Sequence, residues 1–231
     1  MIPIRDNVPS RHVPFVVYAL IGANIGIFLF LVQQPRDRIL DVVKVFGVVP
    51  SRLNWTVFVE NPIGGAASAL SLLTYMFLHG GLMHIIGNMW ILWLFGDNVE
   101  DCFGHGRFFL FYVLSGVAGM LTHVAVMSSS QVPAIGASGA VAAVMGAYFY
   151  LFPAARIVVL VPVFFLPLFF EVPAAFFLLV WMLMQLLSGT AALAQESGQA
   201  IGGVAFWAHI GGFVVGLIYA ILHGRRRRRR R

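Results

Sequence analysis

Long apolar runs alternate along this chain with short breaks rich in polar residues, glycine or proline. Pro14 to Val32 supplies 19 mostly apolar residues, close to the roughly 20 that a membrane-crossing helix needs. Leu82 to Phe95, preceded by Leu72 to Leu78 and the bend-forming pair Gly80-Gly81, predicts a second span. Phe108 to Met127 predicts a third, Ser138 to Phe152 a fourth, Pro173 to Leu187 a fifth and Val204 to Leu222 a sixth. Between the first two lies a long loop, Gln33 to about Ser71, which carries Arg36, Asp37, Arg38, Asp41, Lys44, Arg52 and Glu60. Asp97 to Arg107 reads as a compact charged turn and Ser188 to Gly203 as a polar loop. Ile157 to Phe170 is apolar but interrupted by Pro162 and Pro167, so it reads as interfacial. The predicted fold class is an all-α polytopic membrane protein, six transmembrane helices in a compact bundle with a long first outer loop. It divides into an N-terminal tail 1–13, a membrane domain 14–223 and a polyarginine tail 224–231.

The fourth run is too short for its neighbours. About 15 residues at 1.5 Å each make about 22 Å, less than the roughly 30 Å hydrocarbon core. One end must therefore lie inside the membrane. If that is the Ser138 end, the connection Ser128 to Ala137 dips below the surface, which is permitted only where it lines a protein-walled or watery cavity.

Composition agrees with a membrane protein: 60% of the 231 residues are apolar and 10% are charged. The net charge of +6 arises mostly from the run Arg225 to Arg231, so it describes a tail and not a nucleic-acid-binding surface. Beside a last apolar helix, that run suits anionic lipid headgroups and marks a cytoplasmic end. Six crossings then place both termini in the cytoplasm, with a bacterial inner membrane as the expected location. The single cysteine, Cys102, excludes an internal disulfide framework.

Gly136-Ala137-Ser138-Gly139-Ala140 opens the short fourth helix. Flanking glycines leave the serine hydroxyl reachable, although small residues in membrane helices also serve close packing. The stretch His79-Gly80-Gly81-Leu82-Met83-His84 leads into the second span, which carries His84 and Asn88, and the sixth span carries His209 within Ala208-His209-Ile210-Gly211-Gly212. Intramembrane ionisable groups are costly and invite a functional reading. His84 and Asn88, four apart, share a helix face. With six spans the second, fourth and sixth run the same way, so His84, Ser138 and His209 fall at one depth toward the outer face. A seventh span at Ile157 to Phe170 would put His209 at the opposite face from Ser138.

These residue types suit acyl transfer. A serine hydroxyl becomes a nucleophile when a neutral imidazole takes its proton, with Ser138 as nucleophile and His209 as base. His84, the Asn88 amide and the Ser138 N–H are available as oxyanion donors. No carboxylate lies in these helices, which predicts a dyad and not a triad. His79 and His84 are five apart with no intervening Glu, unlike the His-Glu-x-x-His spacing of zinc proteases, and neither metal nor cofactor is expected.

From Thr74 to Gly216 the chain resembles the rhomboid family of intramembrane serine proteases. The resemblance is carried by His79, His84 and Asn88, by Glu100-xxx-Gly104-xx-Arg107-Phe108 leading into Tyr112 and Ser115-Gly116, by Gly136-Ala137-Ser138-Gly139, and by Ala208-His209 with Gly212. It implies Ser138 and His209 as the dyad, His84, Asn88 and the Ser138 N–H as the oxyanion site, and His79, Gly136 and Gly139 as supporting residues. It also implies substrates that are single-span membrane proteins, cut near the outer end of their helix. Ala142 stands where some members carry an aromatic supporting the base, a role open to Phe206 or another aromatic. The Trp-Arg pair that some members carry in the first outer loop is missing before His79. The alternatives are a catalytically silent rhomboid-like binding or quality-control protein and, outside the family, a transporter, for which internal repeats would be expected.

Overall fold

The computed structural model describes residues 2–53, 61–163, 166–194 and 204–228. Its helices are α1 (Phe15–Leu31), α2 (Arg36–Phe46), α3 (Pro62–Thr74), α4 (Leu82–Phe103), α5 (His105–Val126), α6 (Ser138–Leu151), α7 (Ala174–Ala194) and α8 (Phe206–Arg228), with single 3-10 turns at Pro50–Arg52 and Tyr75–Phe77. Strands β1 (Ile2–Asp6), β2 (Arg156–Val163) and β3 (Leu166–Pro173) form one antiparallel sheet in that order.

α6 is the centre of the bundle. Every residue from Gly139 to Tyr148 is buried, which a helix apolar on all faces achieves only when neighbours surround it. Without a hydrophobic drive between helices in lipid, such packing relies on small residues that let backbones touch. α6 and α8 touch in this way. A side chain added at Gly212 would collide with the carbonyl oxygen of Gly139, one at Gly216 with that of Ala143, and one at Gly146 with that of Phe213.

α1 stands against α4. Gly96 of α4 leaves room for Val17, which is fully buried. The start of α1 is held by the buried Glu100 carboxylate of α4, which accepts from the Val16 N–H at 3.0 Å and the Val17 N–H at 2.9 Å. Two of the four N–H groups that a helix start leaves without partners are thus satisfied, by a negative charge at the positive end of the helix dipole.

Among the described residues, three helical stretches are long and apolar enough to cross a membrane: His105–Val126, Ala174–Leu193 and Phe206–His223. A fourth crossing is formed if Ile63–Phe77 and Leu82–Phe103, bent by 79° at their break, are counted together. Phe15–Leu31 and Ser138–Leu151 are apolar and shorter. The chain is therefore an integral membrane protein of mostly helical fold.

Several elements differ from the sequence reading. Asp97 to Phe103 is not a turn but the last part of α4, and the reversal shrinks to Gly104, whose φ of +78° suits glycine. α7 continues past Leu187 to Ala194, and the remainder of the expected loop, 195–203, lies outside the described residues. The expected long loop holds α2 and α3, with 54–60 also outside the described residues. The described parts of Ile157 to Phe170 lie on the paired strands β2 and β3. The β-branched run Ile157-Val158-Val159 favours strand, and Pro162 pairs across from Pro167. The N-terminal segment joins this sheet, with Ile2 opposite Leu160 and Asp6 opposite Ile157.

The sheet marks one end of the bundle. Asp6 of β1 accepts from the Tyr148 hydroxyl near the end of α6 and, at 3.1 Å, from the Asn98 amide near the end of α4. Late in α8, Tyr219 packs edge-on against Phe103, ring centroids 4.9 Å apart. α4, α6 and α8 therefore all end at this face and begin at the opposite one.

Candidate active site

At the starts of those three helices the sequence candidates converge. The loop before Ser138 is tied down from two sides. Val48 and Ala134 pair as an isolated bridge, and the Gly136 N–H donates to the Tyr75 carbonyl at 2.9 Å. Gly136 adopts φ +121°, a region that a side chain disfavours. A Cβ there would also sit 2.6 Å from His84 Nε2 and 3.7 Å from Asn88 Nδ2. The glycine thus lets α4's polar face approach the backbone two residues before Ser138. Tyr75 braces the floor, its hydroxyl donating to the Gly116 carbonyl at 2.8 Å.

Ser138 is the first residue of α6, where backbone N–H groups have no acceptor within the helix. Its Oγ lies 2.7 Å from His209 Nε2. His209 and Asn88 are buried, while Ser138 and His84 are partly exposed. Asn88 Nδ2 has no hydrogen-bond partner among the described residues. A buried amide without a partner is costly, and this one lies beside the turn that carries the serine. His79 is buried, its ring meeting that of His84 edge-on with centroids 5.1 Å apart. Gly139 faces Tyr75 and Ala208, which keeps the two helices close beside the serine.

Two residues given no role in the sequence reading belong to this cluster. Gln185 of α7 places its Oε1 2.8 Å from His209 Nδ1, and Trp181, one turn earlier, stacks on the imidazole with centroids 5.9 Å apart and planes at 30°. Phe206 approaches the same ring edge-on at 6.3 Å. Aromatic contact with His209 thus comes from α7 and α8, through Trp181 and Phe206. The available signal was a polar residue in an otherwise apolar run, four positions after a tryptophan and so on the same helix face.

Chemically the arrangement offers a hydroxyl in contact with an imidazole, backbone N–H groups at a helix start, and an amide donor from a neighbouring helix. Fold and site together define an integral membrane protein with a serine–histidine pair inside its helix bundle. The Rhomboid domain model matches residues 66–226, and the chain belongs to the rhomboid family. It is 29% identical over 215 residues to Rhomboid protein 1, mitochondrial, of Saccharomyces cerevisiae, covering 91% of this chain and 54% of that protein. It is 31% identical over 137 residues to Rhomboid protease GluP of Bacillus subtilis, covering 59% of this chain and 24% of the relative. A match of 38% over 157 residues to RHOMBOID-like protein 6, mitochondrial, of Arabidopsis thaliana covers 55% and 48%. The chain thus spans about half or less of the length of these relatives. Two of the three carry mitochondrial names, which gives the expected bacterial inner membrane no support.

Proposed function

We propose that this chain is an intramembrane serine endopeptidase that hydrolyses peptide bonds in or near transmembrane segments of membrane-protein substrates. The observation that carries this reading is the 2.7 Å hydrogen bond between Ser138 Oγ and His209 Nε2 inside an apolar bundle. Membership of a family with a relative named a protease supports it.

In the proposed reaction, His209 Nε2 takes the Ser138 hydroxyl proton as Oγ attacks the scissile carbonyl. The oxyanion is received by the Ser138 N–H, Asn88 Nδ2 and His84. The protonated His209 then gives its proton to the leaving amine, and the acyl group stays on Ser138. Water, deprotonated by His209, releases it. His79 supports His84, and Gly136 and Gly139 permit the close approaches on which the site depends. No carboxylate takes part, so the pair acts as a dyad.

We place six crossings in the bilayer, α1, α4, α5, α6, α7 and α8, with α2 and α3 in the long outer connection. Both termini are cytoplasmic, the site opens toward the outer face, and Arg225 to Arg231 meets anionic lipid, with no role for nucleic acid. The test is cleavage of a model single-span substrate in liposomes. Wild type is expected to cut it, and Ser138→Ala and His209→Ala are not. Cleavage by both variants would overturn the dyad.

A further inference from the structure

We propose that Gln185 is a positioning residue that fixes the tautomer and orientation of His209, so that the base is aligned by a helix carrying neither member of the dyad. This rests on the reading of His209 as base. Gln185 Nε2 lies 3.4 Å from the Trp181 carbonyl oxygen, which can only accept, so the amide's NH₂ must face it. The amide oxygen then faces His209 Nδ1, at 2.8 Å. An amide oxygen can only accept as well, so Nδ1 must carry the proton. A neutral imidazole protonated at Nδ1 has a free lone pair at Nε2, the nitrogen 2.7 Å from Ser138 Oγ. The hydrogen-bonding chain Trp181 carbonyl, Gln185, His209, Ser138 therefore has one consistent direction, and it leaves His209 able to accept the serine proton. The opposite tautomer would place two acceptors, Gln185 Oε1 and Nδ1, against each other and a donor at Nε2.

Trp181 adds the second constraint. Its stack on the imidazole face restricts ring rotation, while Gln185 grips the ring's edge. Trp181 and Gln185 are four residues apart on α7 and approach the ring as a pair. In a catalytic triad the carboxylate that holds the base histidine does the same two things, selecting a tautomer and an orientation. A neutral amide accomplishes this without placing a charge in the bilayer, where a charge is costly. The remaining α7 contacts are sparse. Its buried residues in the crossing stretch are few, Ala174, Leu178, Gly189 and Ala192, so the grip on His209 is one of its specific attachments to the bundle.

The experiment compares wild type, Gln185→Met and Gln185→Glu in micelles. Met keeps the length and suits lipid but offers His209 no strong acceptor, while Glu offers one whether ionised or protonated. Nitrogen-15 spectra of histidine-labelled protein are expected to show His209 protonated at Nδ1 in wild type and Gln185→Glu, and to lose that signature in Gln185→Met. With the model substrate, Gln185→Met is expected to lower kcat on the order of tenfold or more, as loss of a supporting hydrogen bond does elsewhere, with KM unchanged and Gln185→Glu within a few-fold of wild type. An unchanged His209 tautomer and kcat in Gln185→Met, or an equal loss in Gln185→Glu, would overturn the proposal. A wild type inert toward substrate would reject the proposed protease, while the spectra would still decide whether Gln185 sets the imidazole.

Discussion

Gly212 on α8 lies directly against the backbone of Gly139 on α6, so closely that any side chain at position 212 would collide with the Gly139 carbonyl oxygen. Gly139 follows Ser138 and Gly212 comes three residues after His209, so this backbone contact sets how near the hydroxyl and the imidazole can come. Gly212→Ala is expected to push the helices apart, costing about 1–3 kcal/mol by overpacking and lengthening the Ser138–His209 contact. A lower unfolding midpoint in detergent, with loss of cleavage beyond what the lost stability explains, checks this. Unchanged activity would separate the packing from the site.

Asn88 Nδ2 is buried, unpartnered among the described residues and beside Gly136, as a donor reserved for a developing charge would be. Asn88→Ala and His84→Ala are each expected to lower kcat about 10²–10³-fold, equivalent to about 3–4 kcal/mol of barrier. KM should hold, since the interaction strengthens in the transition state. A rise in KM at constant kcat would make these residues substrate contacts instead.

Glu100 holds the start of α1 through two backbone N–H groups and touches His105. Glu100→Ala leaves those donors, the Val17 N–H buried and the Val16 N–H partly so, without the carboxylate acceptor, at a cost of about 2 kcal/mol. The expected outcome is a lower unfolding midpoint with faster proteolysis near residues 8–16. Glu100→Gln, which keeps one acceptor oxygen, should lose less.

At the far end of the bundle, burial pushes the Asp6 carboxyl above its ordinary value, partly offset by hydrogen bonds from the Tyr148 hydroxyl and the Val8 N–H. A raised folded-state pKa means that the folded form prefers the protonated carboxyl. Its stabilising contribution is fully present below the unfolded-state value and is lost as pH rises through the folded-state value. Unfolding midpoints measured across acid to neutral pH should therefore fall for wild type relative to Asp6→Asn as pH increases. A constant difference would contradict this.

Much of the site was legible in the sequence because its parts sit at helix starts. Ser138 opens α6 where expected, and the shared direction of α4, α6 and α8 brings His84, Asn88 and His209 to one end. The contact between His209 and α7 was hidden, because helix periodicity reveals a face but not which neighbour it meets. Gln185 therefore read as an ordinary polar residue near the end of a span. The β-sheet was hidden for a related reason. Ile157 to Phe170 has the composition of a membrane segment, and its strands show only through pairing, of β2 with β3 and of β2 with Ile2 to Asp6, more than 150 residues away in the chain. Asp97 to Phe103 was misjudged because its charges suggested solvent, whereas Asn98 and Glu100 are buried and used in hydrogen bonds to the N-terminal segment.

The most direct measurement is covalent labelling by a fluorophosphonate serine probe in liposomes, followed by mass mapping. Wild type is expected to label at Ser138, His209→Ala to lose labelling as the hydroxyl loses its base, and Ser138→Ala to show none. Labelling that persists in Ser138→Ala, or a wild type that cleaves the model substrate but stays unlabelled and tolerates Ser138→Ala, would contradict a nucleophilic serine at position 138.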